Sequence, residues 1–399
     1  MEEERKAAAA KAEASFDYFA AMQPPNPDSD FTYELDSTGK GVTIRSYVGT
    51  SDFVTIPTKI EGLPVTGCYS RGVGFFTEVQ AARIRGLALS PLILENNVNR
   101  LFGRTWPNLR ILIYSALREK IVLSPRNYPE LKHIVMLDSV TKSGHFGGLP
   151  NLESVTFSNS ITEIGGDAGD LMDCKKLKKV TLPRSLRVIR SERIIGNPLR
   201  INGAFEGCVS LESIDFPDSL TTIENEAFRG CTSLKSVALP ANLTQLGVAF
   251  QYYIGGSEDQ TKEAGDVFSG CRSLETVTFN GRLTEIPGGT FSGCTSLKSV
   301  TIPANIKRLR GAFEYSSIIE ITFNGNLEDG LHQTVTYSGT TKDPLHPPLT
   351  RVVIGKGVTR LNSSFYLPPM SLEEQAKLRE VGIRSSHGED YPPIIFEYQ

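Results

Sequence analysis

Apolar residues recur along this chain on a fixed plan. Counted from a leucine, they fall at offsets 0, 3 and 5: Leu211, Ile214 and Phe216, then Leu234, Val237 and Leu239. The last two alternate with polar neighbours, which predicts a short strand with one face turned inward. A Pro or an Asn-Gly pair then ends the strand, at Pro217, Pro240, Pro303 and Asn280-Gly281. A second apolar pair follows, such as Leu220 and Ile223, and then a Phe opens the next round.

The plan is a repeat. It reads FEGCVSLESIDFPDSLTTI from Phe205, FRGCTSLKSVALPANLTQL from Phe228, FSGCRSLETVTFNGRLTEI from Phe268 and FSGCTSLKSVTIPANIKRL from Phe291. The step from Phe205 to Phe228, and from Phe268 to Phe291, is 23 residues. A period in this range predicts a solenoid. One unit cannot bury its apolar face alone; stacked units can, with strands paired about 4.8 Å apart. Weaker copies run upstream as LMDCKKLKKVTLPRSLRVI from Leu171, FGGLPNLESVTF from Phe146, YPELKHIVM from Tyr128 and WPNLRILIY from Trp106. Downstream are SSIIEITFNGNL from Ser316 and LTRVVIGKGVTRL from Leu349.

The unit GC-x-SL-x-x-V-x-x-P-x-x-LT-x-I resembles the BspA-like class of leucine-rich repeat, at its Cys and its Pro positions alike. The segment FTYELDSTGKGVTIRSYVGTSDFVTIPTKIEGLPVTGC from Phe31 is similar to the N-terminal segment of that family. The resemblance implies a right-handed, strand-rich leucine-rich-repeat solenoid, elongated and curved, with few short helices. It also implies a surface or secreted protein of bacteria, or a surface protein of some protists, used for adhesion or recognition. It brings no catalytic residues with it.

The expected organisation has four parts. Residues 1–30 are a polar helix, weak in apolar face, and a Pro-rich linker. Residues 31–78 are a β-rich N-terminal cap, 79–366 the solenoid and 367–399 a C-terminal cap. Residues 1–22 read equally as a stalk or as a frayed tail. Near the other end, residues 371–380 are expected to form one helix, and the tail PPIIFEYQ a last strand closing the open sheet edge.

Composition narrows the function classes. A formal net charge of −3 offers no basic field for nucleic acid. No apolar stretch approaches the ~20 residues that span a membrane as a helix. The opening EEERKAAAAKAEAS is charged and Ala-rich, unlike a signal peptide. An extracellular or cell-surface location therefore implies an export leader already removed; the alternative is cytoplasmic.

Five of six cysteines, Cys174, Cys208, Cys231, Cys271 and Cys294, share one repeat position, and Leu149, Tyr128 and Trp106 occupy it in weaker units. Exchange with large apolar residues predicts inward-facing reduced thiols rather than a disulfide framework. The histidines, His133, His145, His332, His346 and His387, show no metal-ligand spacing. No phosphate-binding loop, nucleophile elbow or zinc motif is present. The chain is read as a non-enzyme without cofactor or metal.

Two candidate binding surfaces remain. The first is the outward strand face at offsets 2 and 4, which carries Ile111/Ile113 at one end and a Ser/Thr field including Thr276 and Thr278 in the middle. A solvated sheet with high β-propensity explains the Ser/Thr field equally well. The Ile111/Ile113 pair reads as an exposed apolar patch, as one under a covering loop, or as a slip of strand register in an irregular unit. The second surface is built from insertions at residues 190–204, 248–267 and 328–348. All three break the unit at the same phase, so they are expected on one rim. They bring Arg200, Tyr252, Tyr253 and Tyr337, residue types that often anchor interfaces. The expected partner is a protein or glycan, host extracellular matrix among the candidates. The alternative is a scaffold in a cell-envelope or intracellular assembly.

Overall fold

The computed structural model describes residues 25–68, 75–89, 104–114, 121–137, 140–166, 170–193, 201–248, 250–254, 257–262, 265–309, 311–328 and 351–361. Beyond them it describes 364–365, 373, 376–377, 380, 384–385 and 395–398. The chain forms two compact units, one of Met1–Thr162 with Cys174–Ser185, the other of Glu163–Asp173 with Leu186–Gln399.

The first unit opens with the antiparallel pair Phe31–Leu35 and Val42–Tyr47, extended by Leu63–Cys68 and Lys59–Ile60. A single helical turn and a half, Glu78–Arg83, follows. Thr77 caps it reciprocally: Gln80 N donates to the Thr77 hydroxyl, and Thr77 N donates to Gln80 Oε1. The repeats then lay down a parallel sheet of six strands. In spatial order these are Phe53–Thr55, Gly86–Leu89, Ile111–Tyr114, His133–Met136, Ser154–Thr156 and Lys179–Thr181.

One face of that sheet carries Val54, Leu87, Leu112, Ile134 and Val155, all nearly inaccessible. The opposite face changes character from strand to strand. Its two rows read Phe53, Gly86, Ile111, His133, Ser154, Lys179 and Thr55, Ala88, Ile113, Val135, Thr156, Thr181. Lys179 and Thr181 are exposed. Ile111 and Ile113, read as an apolar patch that is either exposed or covered, are 7% and 4% exposed. This end of the outward face is a second apolar cluster, with Val135 buried beside the pair and Phe53, Ala88 and Leu137 packed against it.

In the second unit the repeat builds columns. The rings of Phe205, Phe228, Phe268, Phe291 and Phe313 stack in series at 5.0, 5.3, 5.6 and 5.3 Å, within 11° of parallel. Each contact adds about 1 kcal/mol beyond area burial. Phe216 and Phe279 meet Phe228 and Phe291 edge-on. Four cysteines form the adjoining column as buried thiols. Cys208, Cys231, Cys271 and Cys294 donate to the carbonyls of Leu171, Phe205, Phe228 and Phe268 at 3.2–3.4 Å. Cys174, in the first unit, does the same with Phe146. The residue before each of those four cysteines is a glycine at φ between 69° and 73°. That left-handed turn is what the repeated Gly-Cys encodes; Asp173 and Tyr315 adopt it in irregular units.

Among the described residues this unit holds two four-stranded parallel sheets. The strands Glu163–Ile164, Val188–Ile189, Thr222–Ile223 and Gln245–Leu246 form one. The other runs Ser299–Ile302, Glu320–Phe323, Arg351–Ile354 and Ile395–Tyr398. The last strand of the chain thus lies in parallel register on Arg351–Ile354, as expected of the tail. Of the predicted helix at 371–380, the described residues Glu373, Ala376, Lys377 and Glu380 are helical.

Candidate interaction surface

The outward strand face of the second unit is open. Ser236, Ala238, Thr276, Thr278, Ser299 and Thr301 are exposed, while Val237, Leu239, Val300 and Ile302 between them are buried. Ser236 pairs with Thr276 and Ala238 with Thr278 across a parallel ladder. Pairing within each ladder occupies backbone groups of these strands, and the exposed side chains Ser236, Thr276, Thr278, Ser299 and Thr301 offer hydroxyls. Such a surface makes many weak, directional contacts with a flat polar partner.

Farther along, the face becomes charged. Arg351 sits between Glu320 and Glu397 on flanking strands. Its NH1 bonds Glu320 Oε2 at 2.6 Å, and its Nε and NH2 form a fork on Glu397. The fork lowers the Glu397 pKa below the usual carboxylate range.

Two of the three insertions are β-hairpins. Ser191–Arg193 pairs antiparallel with Ile201–Gly203, and Phe250–Ile254 with Ser257–Lys262. The first leaves the chain just after Val188–Ile189 and the second just after Gln245–Leu246, two strands of one parallel sheet. Both roots therefore lie at the same end of that sheet, which is the expected common rim. The third insertion, with Tyr337, His332 and His346, lies outside the described residues, as do Ile194, Ile195 and Arg200. Tyr252 and Tyr253 fall on the strand Phe250–Ile254, where Tyr252 pairs with Gln260.

Sequence reasoning passed over the residues that hold these roots. Between the two hairpins runs an uninterrupted unit, and its Glu224 and Asn225 reach to either side. Glu224 accepts from Ser191 N at 2.9 Å and from Arg190 NH1 at 3.3 Å. Arg190 also forms a two-bond fork with Glu163, at 2.8 Å each, and its pKa rises with that pairing. On the other side the buried Asn225 bonds both ends of the second hairpin, through Val248 and Gly265. The available signal was position: Asn225 stands three residues before the unit's Phe, where the next two units have Gly265 and Gly288.

Among the described residues no cluster of three metal-ligating side chains occurs, and no helix is long and apolar enough to cross a membrane. Burial pushes the Cys294 thiol up to about 12 and those of Cys231 and Cys271 well above their ordinary value. Such thiols are neither nucleophiles nor ligands at neutral pH.

Comparison with known proteins agrees with the columns. The family model for the BspA type leucine rich repeat region matches in six copies over residues 126–198, 201–254 and 258–338. Among solved structures, a leucine-rich repeat protein from Bacteroides ovatus is 18% identical, covering 93% of this chain and 98% of its own, with a TM-score of 0.37. A leucine rich cell surface protein from Faecalibacterium prausnitzii is 16% identical over 94% and 95%, with a TM-score of 0.24. The pneumococcal vaccine antigen PcpA is 14% identical over 92% and 99%, with a TM-score of 0.32. No curated protein sequence matches significantly. The matched repeat family is one of bacterial surface proteins that act by protein interaction and are not known as enzymes. With its repeats matched over more than half of its length, this chain belongs to the BspA-type leucine-rich-repeat family.

Proposed function

We propose that this protein is a non-enzymatic recognition protein, secreted or held at a cell surface, that binds a protein or glycan through the outward face of its second unit. The observation that carries this reading is the exposed set Ser236, Thr276, Thr278, Ser299 and Thr301 on two parallel strand ladders. A scaffold stacked this way holds its hydroxyls at fixed spacing, so a repetitive partner pays little ordering entropy on the protein side. The hairpins rooted at Glu224 and Asn225 border the same unit and supply a second contact region. Membership of a surface family that works by interaction supports the location and the role.

The test is a binding screen of the intact chain against extracellular-matrix proteins and a glycan array. A variant with residues 248–267 shortened to a tight turn runs beside it. A saturable ligand supports the reading, and its retention by the shortened variant assigns it to the strand face. Absence of any ligand in either class overturns it in favour of an internal scaffold.

A further inference from the structure

One coil of the first unit departs from the others in its charge. Between Asp173 and Glu192 the chain holds seven Lys and Arg residues and no acid. Five of them, Lys175, Lys176, Lys178, Lys179 and Arg184, lie in the part of this stretch that belongs to the first unit, and all five are exposed. The repeat does not ask for them. At the position of Lys176 the four clearest copies have Ser210, Ser233, Ser273 and Ser296; at that of Lys179 they have Ser213, Ser236, Thr276 and Ser299. Lysine stands here where the plan writes a hydroxyl.

The preceding coil offers little compensation. From Phe146 to Thr162 it holds one acid, Glu153, which accepts from Lys132 Nζ at 2.7 Å. Lys176 Nζ donates to the neutral Asn151 Oδ1 at 2.6 Å, and Lys179 and Thr181 pair in register with Ser154 and Thr156. Cations gathered in this way draw anions by an attraction that salt screens. The surroundings narrow the kind of anion. No aromatic side chain occurs from 171 to 191, so the coil has no platform for stacked bases. None of the exposed large hydrophobic residues among the described ones lies on it, so it has nothing to insert into a bilayer. Thr181, Thr156 and Asn159 border the cations, and their hydroxyl and amide groups can exchange hydrogen bonds with a sugar.

We propose that residues 175–184 bind an acidic polysaccharide, whose sulfate or carboxylate groups lie along the coil against Lys175, Lys176, Lys178, Lys179 and Arg184. A chain that repeats its charge engages several of these cations at once, so contacts that are weak singly add up. A small anion gains only one or two of them. The site belongs to the first unit and does not rest on the reading of the Ser/Thr face in the second.

The test titrates the full chain with heparin, a sulfated polysaccharide, beside neutral dextran, single-stranded DNA and phosphatidylserine vesicles. Saturable heparin binding is expected at about 50 mM salt, tighter than that of DNA or vesicles and weakened at least about tenfold by about 200 mM salt. Lys176→Ser/Lys179→Ser restores the residues of the other repeats. It should cut heparin affinity at least about tenfold at an unchanged melting temperature. Lys175→Thr/Lys178→Gln is a second, separate pair with the same expectation. Lys298→Ser/Lys356→Ser removes equal charge from exposed sites of the second unit and should leave the affinity within about twofold. Absence of heparin binding, equal binding of dextran, or tighter binding of DNA or vesicles overturns the proposal. So does undiminished binding by both first-unit pairs, or an equal loss in the second-unit pair.

Discussion

Asn225 and Gly265 lie 40 residues apart in sequence, and Asn225 Oδ1 accepts the Gly265 N–H at 3.0 Å. The same oxygen accepts from Val248 N, and the amide nitrogen donates to the Val248 carbonyl, both at 2.9 Å. One buried side chain thus closes the neck of an inserted hairpin. The solenoid resumes beyond it with Phe268 stacked on Phe228, as though nothing had intervened.

Replacing Asn225 by Ala strands two N–H groups and a carbonyl at that neck. The expected cost is roughly 2 kcal/mol of unfolding free energy. Urea titration checks the magnitude, and amide exchange should quicken at Val248 and Gly265 before it does elsewhere. Native-like stability with unchanged exchange would show that the neck is held by other contacts.

The thiol column should be chemically silent. Burial raises the pKa of Cys231, Cys271 and Cys294, so these groups stay protonated well above neutral pH. Alkylation of the folded protein at these positions should stay negligible from about pH 7 to about pH 9, within the range where an ordinary thiol ionises. In denaturant all three should react readily. Rapid modification of the native protein would mean that the coils open.

Glu206 is a site where charge is a burden. Desolvation raises its pKa, and Glu226 and Asp173 add to the effect while Arg229 and the Gly203 N–H oppose it. A carboxyl raised in the folded state contributes stability that is complete below its unfolded pKa and is lost as pH rises through the folded one. Glu206→Gln keeps the acceptor without the charge. Its melting temperature at neutral pH should equal or exceed that of the native chain, with the difference vanishing in acid. A lower melting temperature at neutral pH would contradict this reading.

Glu397 behaves in the opposite sense. Its pKa is lowered by the fork from Arg351, so the contact is present above the unfolded carboxylate pKa and fades as pH falls through the folded value. Amide exchange in the last strand, corrected for intrinsic rate, should accelerate below about pH 4 relative to Glu320–Phe323. Arg351→Met should produce the same acceleration at neutral pH. Identical protection in both strands at every pH would remove the fork from the account.

Much of this architecture is legible in the chain because the repeat writes the same local decision many times. Gly207-Cys208 encodes a left-handed turn followed by a buried thiol, and the Phe that follows each unit encodes a stack. What was not legible depends on contacts distant in sequence. Strand phase places Ile111 and Ile113 on the outward side correctly, but phase says nothing about what lies on top of them. The insertion at 248–267 sets Gly255-Gly256 between FQYYI and SEDQTK, a hairpin signal that a reading by repeat phase passes over. Asn225 looks like one more polar residue of its unit until the next coil is set beside it. Thr276 and Thr278 were readable because a regular unit on a regular stack leaves only one way for them to point.

The most direct test of the central claim is the affinity of the screened ligand for Thr276→Lys/Thr278→Lys, measured beside the native chain with both melting temperatures recorded. Both threonines are exposed, so stability should change by less than about 0.5 kcal/mol. Recognition through the strand face predicts at least a tenfold loss of affinity, about 1.4 kcal/mol, at unchanged melting temperature. Undiminished binding by the folded variant would contradict it.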